Sequence, residues 1–307
     1  MTAITTAAAG RAAGAGASTP RRRPVAWLGF VPFAAYTLVF MAVPTVLAVW
    51  SGLTTQSGAF TLANFAAFAQ PGIQKAFVNS LLLSLAVAVA SSVLGAILCV
   101  ALLAARPDGF LRVVVDAASS VLAQFGGVML AFAFIATIGS TGMFTLWAQH
   151  AFGFDINSLA PDKTAGPLLY QATGMFFPYL YFSIPLMVIV FMPAVEGLRP
   201  QWGEAVATLG GNRLQYWWHV GAPVLAPSFF GALILIFASA FSSFATAAAL
   251  TNSGILIPVV MQQYLGSETD AAVAHIPGVL AIGMLVIMGV VMGLYALLQR
   301  RAARWQR

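Results

Sequence analysis

The feature that most constrains this chain is a set of six apolar stretches, each long enough to cross a lipid bilayer. About 20 apolar residues in a helix span the hydrocarbon core, and the stretches cover residues 27–50, 77–104, 113–137, 169–195, 224–249 and 277–299. Backbone groups in lipid have no water to bond, so each stretch is predicted to be a helix. None alternates over about ten residues, as barrel strands do. The sequence therefore predicts an all-α integral membrane protein with six transmembrane helices.

The composition agrees with this prediction. Of the 307 residues, 60% are hydrophobic and only 7% are charged, whereas soluble domains carry about 25% charged residues. So few charges cannot cover a water-facing surface, which excludes a soluble globular protein. The single cysteine, Cys99, lies inside the second stretch and is expected to be a buried, inert thiol.

Basic residues predict the orientation of the six helices. Twelve arginines lie before the first stretch, after the sixth, between the second and third, or between the fourth and fifth: Arg11, Arg21, Arg22, Arg23, Arg106, Arg112, Arg199, Arg213, Arg300, Arg301, Arg304 and Arg307. The opposite side carries only Lys75 and Lys163. Because Lys and Arg are enriched in cytoplasmic loops, both termini are predicted to be cytoplasmic. The net charge of +6 is attributed to this topology and to lipid headgroups rather than to nucleic acid.

The two ends of the chain differ from the region between them. Residues 1–26 are predicted to be a disordered cytoplasmic tail because they are rich in small and polar residues. Residues 27–300 are predicted to be the six-helix transmembrane domain, and residues 301–307 a basic cytoplasmic tail. The first apolar stretch is too long for the core of a signal peptide, and no small-residue cleavage site follows it.

Polar side chains are scarce within the apolar stretches. Most Ser and Thr hydroxyls there are expected to bond to the backbone of their own helix or a neighbouring one. We select a set of polar and aromatic side chains as candidates for lining a pathway between the helices: Asn79, Ser80, Phe177, Tyr181, Ser242, Ser243 and Thr246. Asp116 follows Arg112 by four residues, so we interpret it as the partner in a helical ion pair rather than as a proton relay.

A polar passage between the fourth and fifth stretches, residues 199–223, predicts organised structure. Pro200 suits the first turn of a helix. An apolar stripe along that helix is predicted from three residues at helical spacing: Trp202, Val206 and Leu209. Gly210 and Gly211 can both adopt positive φ, which commonly ends a helix.

A second short helix is predicted directly after these glycines. Asn212 and Gln215 form a capping-box pattern. One apolar face is expected from Leu214, Trp217 and Trp218. Its end is placed at two prolines, Pro223 and Pro227. The passage is therefore predicted to be a helix–turn–helix at the membrane surface, which is either an interfacial loop or a docking element for a cytoplasmic partner.

The segment EAVATLG, with a proline thirteen residues after its glycine, resembles the EAA signature of bacterial ABC importer permeases. The residues that match that signature are Glu204, Ala205, Gly210 and Pro223. The departures are conservative in size and polarity: Val206, Val220 and Ala222. The segments FTLANF, NSLLLSLAVAVASSVLG and FASAFSSFATAAALTNSG are also similar to the family, so the resemblance covers residues 27–300. We call residues 199–223 the EAA loop.

The resemblance implies a type I (MetI-like) importer permease fold in the bacterial cytoplasmic membrane. It also implies that the EAA loop couples the chain to a dimer of ATPase subunits, through Glu204, Ala205, Gly210, Gly211, Arg213 and Pro223. A second permease subunit, identical or homologous, would complete the pathway, and an extracytoplasmic binding protein would deliver the substrate. The chain has no G-x-x-x-x-G-K-[ST] phosphate loop, so ATP hydrolysis is expected on a partner chain. We expect this chain to be no enzyme and to hold no cofactor or metal.

The substrate is less constrained by the sequence. The segments FGGVMLAFAFIATIG and FATAAALT look most like permeases for polyamines, phosphonates and related small ions. A sugar or anion importer stays open as an alternative. The other class of protein considered is an ion-coupled secondary transporter, which commonly places ionisable residues at the bilayer midplane. We find no convincing residue of that kind in the six stretches.

Overall fold

The computed structural model describes residues 26–304, except residues 56, 104, 106–108, 165, 252 and 267–272, and leaves out the side chains of 26–29 and 298–304. The predicted tail at 1–26 therefore lies almost wholly outside the described residues. The tail at 301–307 is described only as backbone, up to Arg304. Arg106 also lies outside the description. The regular structure of the described part is helical.

Six candidate membrane spans occur in the described residues, which confirms the predicted number. They are Phe30–Leu53, Pro71–Leu103, Gly127–Phe152, Phe176–Glu196, Arg213–Ser242 and Ile276–Leu297. The second, fourth and sixth match their predicted stretches to within a few residues at most ends, because long apolar runs are the strongest sequence signal for a spanning helix. The orientation of these spans stays a prediction.

The chain divides into two compact units after Leu47. The first contains α1 (Ala26–Thr37), a π-helical turn (Leu38–Ala42) and the start of α2 (Val43–Leu53). The π turn ends two residues before Pro44. A proline ring clashes with the carbonyl four residues earlier in an α-helix. The wider turn relieves that clash, so the helix continues through the proline.

The second unit begins at Ala48 and holds the end of α2 and the remaining helices. These are α3 (Pro71–Leu103), α4 (Phe110–Gln124), α5 (Gly127–Ile138), α6 (Met143–Phe152), α7 (Phe176–Glu196), α8 (Pro200–Thr208), α9 (Arg213–Tyr216), α10 (Ala222–Ser242), α11 (Ala245–Leu250), α12 (Ile257–Leu265) and α13 (Ile276–Arg304). Shorter 3₁₀ turns occupy Ala63–Ala69, Ile156–Leu159 and Leu168–Tyr170.

Helices α3, α7 and α10 form the centre of the second unit. A Cβ on Gly95 would lie 2.6 Å from Met187 Cγ, so this glycine allows α3 and α7 to approach closely. Cys99 and Leu102 of α3 share one apolar cluster with Val195 near the end of α7. The C-terminal ends of these two helices therefore lie at the same end of the unit. Cys99 is fully buried, as predicted.

The third predicted span, 113–137, is wrong because the helix is broken inside it. Helix α4 ends at Gln124 and α5 begins at Gly127, which has a φ of +72°. That left-handed conformation suits a residue without Cβ and interrupts the helical hydrogen bonds. The candidate span runs from Gly127 to Phe152 instead and includes α6, which lies in a predicted loop.

The fifth predicted span, 224–249, is displaced along the chain. The continuous helical segment runs from Arg213 to Ser242. Ser243 is extended, and the short helix α11 follows. Ser243 and Phe244 interrupt the helix, although the hydrophobicity of the chain continues beyond them.

Helix α13 contacts the end of α2 backbone to backbone. A Cβ on Gly52 would lie 2.6 Å from the carbonyl carbon of Gly278. We expect Gly278→Ala to lower the thermal unfolding midpoint of the purified protein, because overpacking costs about 1–3 kcal/mol. Gly289→Ala in the same helix is the control, since its Cβ would meet no atom within 4 Å. Equal midpoints for the two variants would contradict this close contact.

Candidate functional site

The EAA loop begins with α8, whose first residue is Pro200 as predicted. The helix ends in a complete Schellman motif. The Gly210 N–H donates to the Ala207 carbonyl at 3.0 Å, and the Gly211 N–H donates to the Val206 carbonyl at 2.9 Å. Gly210 has a φ of +77°. This pattern satisfies two carbonyls at the end of the helix and fixes the direction of the turn.

Gly211 has a different role from the predicted one. Its φ is not positive, so the prediction of left-handed geometry holds for Gly210 alone. A Cβ on Gly211 would lie 2.5 Å from Val206 Cγ1 and 3.2 Å from Gln215 Oε1. Gly211 is therefore needed because the two helices approach closely at the turn, not because of its backbone angles.

The second helix of the loop begins with the predicted capping box. The Gln215 N–H donates to Asn212 Oδ1 at 2.9 Å, and the Asn212 N–H donates to Gln215 Oε1 at 2.8 Å. Two otherwise unpaired backbone donors are thereby satisfied. The turn and the cap together fix the local conformation of the EAA loop.

The prediction that this second helix ends at Pro223 and Pro227 is wrong. Helix α9 continues through a π-helical turn, Trp217–Gly221, directly into α10. The π turn ends two residues before Pro223, as the first one does before Pro44, and makes room for the proline ring. The turn of the EAA loop is thus joined to the fifth candidate span by one continuous helix.

Only part of the predicted apolar stripes of the loop is covered. Trp202 and Trp217 pack against the apolar cluster of α3, α7 and α10. Leu209 is 88% exposed, Trp218 72% and Leu214 66%, so these three members of the predicted apolar stripes are not covered by the chain itself. The two tryptophans anchor the loop, and its outer surface carries uncovered apolar side chains.

The matched residues of the EAA signature lie on the surface of the loop. Glu204, Ala205, Gly210 and Pro223 are all exposed, and so is Arg213, the other charged residue of the predicted coupling set. A carboxylate, a guanidinium and apolar side chains therefore share the outer surface of the loop. A surface of this composition can contact another protein.

An ion pair that the sequence did not predict ties the base of the loop to α4. Arg112 pairs with Glu196, the last residue of α7, as well as with Asp116 at 3.9 Å. The predicted Arg112–Asp116 pair is therefore present but is not the only one. Glu196 stands four residues before Pro200. The one sequence signal for this ion pair was a charged residue, Glu196, at the end of an apolar stretch.

Both helix breaks meet at one place in the second unit. Thr246, fully buried in α11, accepts a hydrogen bond from the Gly127 N–H at 3.0 Å. The Tyr179 hydroxyl on α7 donates to the Ser243 carbonyl at 3.0 Å. These bonds satisfy backbone groups that a broken helix leaves unpaired. Thr246 and Ser243 were predicted pathway residues, whereas the hydrogen bond from Tyr179 to Ser243 was not predicted.

The other predicted pathway residues lie in different surroundings. Asn79 Nδ2 donates to the Ile255 carbonyl at 3.3 Å, and the hydroxyl of buried Ser80 accepts from the Ile257 N–H at 2.9 Å. The Ser242 hydroxyl donates to a carbonyl of its own helix, that of Ala238, as expected for a hydroxyl in a spanning helix. The two predicted aromatic residues, Phe177 and Tyr181, are partly exposed on α7.

Some of the predicted pathway residues lie close together, and others lie apart. Ser80, Ser243 and Tyr179 line one closed gap, with no room for a water molecule. Asn79 lines a separate, larger cavity. Within the described ranges, no three His, Cys, Asp or Glu side chains come together in a way that could hold a metal ion.

Known proteins similar to this chain are permeases. No protein-family model matches the chain. The molybdenum transport system permease protein ModB of Mycobacterium tuberculosis is 29% identical over 224 residues, which cover 69% of this chain and 78% of that protein. The sulfate transport system permease protein CysW of Synechocystis is 27% identical over 39% of this chain and 46% of its own length. A spermidine/putrescine permease PotC homolog of Mycoplasma genitalium is 32% identical over 66 residues, or 22% of this chain and 23% of that protein.

Solved structures show the same fold. A bacterial ABC transporter involved in import of the acidic polysaccharide alginate aligns with a TM-score of 0.69 and 14% identity, over 89% of this chain and 95% of that one. The same kind of transporter in complex with an alginate-bound periplasmic protein aligns with a TM-score of 0.66, over 87% of this chain and 92% of that one. The chain therefore has the fold of an ABC importer permease, and the resemblance predicted from its sequence is confirmed.

Proposed function

We propose that this chain, a homologue of ABC importer permeases with their fold, is the permease subunit of an ATP-driven importer. The observation that carries the proposal is the EAA loop, which is capped, exposed and continuous with a candidate spanning helix. The Schellman turn at Gly210 and the capping box at Asn212 fix its shape. Coupling between two proteins needs an element that moves as a unit, and these local bonds favour such movement of the loop.

The contacts of the loop define how force would pass from it to the spans. Helix α9 runs without interruption into α10, so displacement of the turn displaces α10. Helix α8 follows closely after α7, whose end is held by the Arg112–Glu196 ion pair. Helix α10 ends at one of the two helix breaks, and Tyr179 of α7 bonds there to the Ser243 carbonyl. Movement of the EAA loop would therefore alter the geometry at the breaks.

The partners follow from this mechanism. A dimer of ATPase subunits would receive the exposed surface around Glu204, Leu209 and Trp218. A second permease subunit would complete the pathway, and an extracytoplasmic binding protein would deliver the substrate. The apolar outer faces of the spans would contact membrane lipid in a bacterial cytoplasmic membrane, with both termini on the cytoplasmic side.

We propose a small ion as the substrate, with an oxyanion such as a phosphonate as the first candidate. In the described parts of the six candidate spans, Glu196 is the one acidic residue, and it is paired with Arg112. A polyamine would need carboxylates or aromatic faces to replace its hydration. The molybdenum and sulfate permeases among the relatives favour an anion. A polyamine is the second candidate, supported by the shorter similarity to the PotC homolog.

Reconstituted transport tests this function. The complex purified through the tagged chain, with its ATPase and binding protein, is placed in proteoliposomes. We expect uptake of a radiolabelled substrate that requires hydrolysable ATP and stops with a non-hydrolysable analogue. Methylphosphonate, sulfate, molybdate and spermidine are the probes. Uptake driven by an ion gradient without ATP would instead identify a secondary transporter.

A further inference from the structure

A polar cavity of about 480 Å³ lies at the end of the second unit opposite to the EAA loop. The N-terminal part of α3 and the segments around 161–173 and 253–255 form its walls. Its polar side chains are Lys75, Asn79, Asp162, Gln171, Thr173 and Ser253. The positive-inside rule predicts that this end is extracytoplasmic.

Lys75 gives the cavity a positive charge that has no partner among the described residues. It is exposed in the second turn of α3, and no ion pair or hydrogen bond to its ammonium group occurs in the described part of the chain. Lys75 and Lys163 are the only two lysines of the sequence. An ammonium group has three donors and binds phosphate-like anions as a point charge.

The Asp162 carboxylate carries the one negative charge among the lining residues, and both its Oδ1 and the Gln171 amide are engaged in other contacts. Asp162 Oδ1 accepts from the Thr164 N–H at 2.9 Å and from the Thr164 hydroxyl at 2.5 Å. Gln171 Nε2 donates to the carbonyls of Asp162 at 2.5 Å and Gly166 at 2.8 Å. These bonds fix the positions of Asp162, Thr164 and Gly166 relative to Gln171. Within the cavity, Lys75 and the Thr173 hydroxyl are the donors with no bond to another described side chain or carbonyl.

One surrounding helix adds to the positive potential. Gly72, in the first turn of α3, lines the cavity. The N-terminal end of a helix carries a partial positive charge. Helix α3, of 33 residues, thus begins at this cavity, and its field reinforces the charge of Lys75.

We propose that the cavity around Lys75 is an entry site that binds a tetrahedral oxyanion before it reaches the spans. The cation, the second donor at Thr173 and the N-terminal end of α3 favour an anion. The volume accommodates a phosphonate-sized or sulfate-sized ion with its waters. This inference rests on the proposed importer function for its role in transport, whereas binding of the anion can be measured without that function.

The full chain in phosphatidylcholine nanodiscs provides the test. Radiolabelled sulfate, molybdate and inorganic phosphate are the probes in equilibrium dialysis, with spermidine as the cationic counter-probe. We expect the wild type and Lys75→Arg to retain at least one anion. Lys75→Gln should bind it about tenfold more weakly, because a charge-assisted contact is lost. Lys163→Gln is the matched control, since this lysine does not line the cavity, and it should bind as the wild type does.

Several outcomes would overturn the site. These are no anion retained by the wild type, equal weakening in both glutamine variants, or retention of spermidine in place of anions. A lipid phosphate is the other source of the same chemistry, so nanodiscs containing phosphatidylglycerol are compared by native mass spectrometry. If the protein retains phosphatidylglycerol, if this retention depends on Lys75 and if free anions do not displace the lipid, the cavity is a lipid headgroup site. That result would overturn the substrate site.

Anion binding and ATP-dependent uptake test the site and the importer function separately. Anion binding that depends on Lys75, without ATP-dependent uptake by the reconstituted complex, would overturn the proposed function and leave the site intact. ATP-dependent anion uptake that is the same in the wild type and in Lys75→Gln would overturn the site and leave the function intact.

Discussion

Gly210→Val is expected to abolish substrate uptake while the protein still inserts into the membrane. Gly210 has a φ of +77°, and a Cβ there would meet no atom within 4 Å, so the effect comes from backbone conformation alone. A residue with a Cβ in the left-handed region costs about 1–2 kcal/mol, and valine is a clear outlier there because it is β-branched. The Schellman turn would open and change the angle between α8 and α9. Uptake by membrane vesicles and the amount of protein in the membrane are the two measurements.

Two further variants separate coupling from general backbone strain. Gly153 has a φ of +66° and equally open surroundings, but it follows α6 and is far in sequence from the EAA loop. Gly153→Val is therefore expected to retain most uptake. Gly210→Asn is expected to be milder than Gly210→Val, because Asn tolerates the left-handed region better. Near-normal uptake by Gly210→Val would contradict a docking role for the turn.

Glu196→Gln is expected to uncouple ATP hydrolysis from uptake. The side chain of Arg112 is only 14% exposed, and the substitution leaves it with Asp116 at 3.9 Å as its remaining acidic partner. The Glu196 side chain is 45% exposed, so the pair is screened and contributes about 1 kcal/mol at most. A change of that size shifts an equilibrium between two arrangements about fivefold. We expect uptake to fall by that factor while the ATPase rate of the complex stays the same or rises.

A double-mutant cycle tests whether the effect belongs to the pair. Arg112→Gln, Glu196→Gln and the double variant are compared for uptake per ATP hydrolysed, and the double variant should be no worse than the more affected single variant. Asp116→Asn is the control and should change coupling little, because its contact to Arg112 is long and 51% of its side chain is exposed. Fully additive effects of the two glutamine variants would show that the ion pair does not act as a unit.

The local structure of the EAA loop was readable from the sequence because it depends on neighbours in the chain. Pro200, Gly210 and the Asn212–Gln215 cap all occupy their predicted positions. Helix ends are determined by hydrogen bonds over three to five residues, so residue type and spacing are enough to locate them. The continuation of the second helix through Pro223 was missed, because a π turn is not visible in residue composition.

The contacts that sequence reasoning missed near the EAA loop and the helix breaks are long-range ones. Glu196 of α7 forms an ion pair with Arg112 of α4. The Tyr179 hydroxyl donates a hydrogen bond to the Ser243 carbonyl, which lies at a helix break. Neither residue has a distinctive sequence neighbourhood. The break at Gly127 had one signal, two adjacent glycines within an apolar run, but glycines are also common in unbroken transmembrane helices.

The sequence by itself determined that the chain crosses a membrane six times as helices, because lipid requires long apolar segments whose backbones bond internally. It also determined the turn at Gly210, since only local geometry is involved. Tertiary structure alone decided which side chains of the EAA loop are covered: Trp202 and Trp217 are packed, whereas Leu209 and Trp218 are left exposed. It alone also brought Lys75 to a cavity between segments that are distant in the chain. Packing and charge pairing depend on which surfaces meet, and residue order along the chain does not specify that.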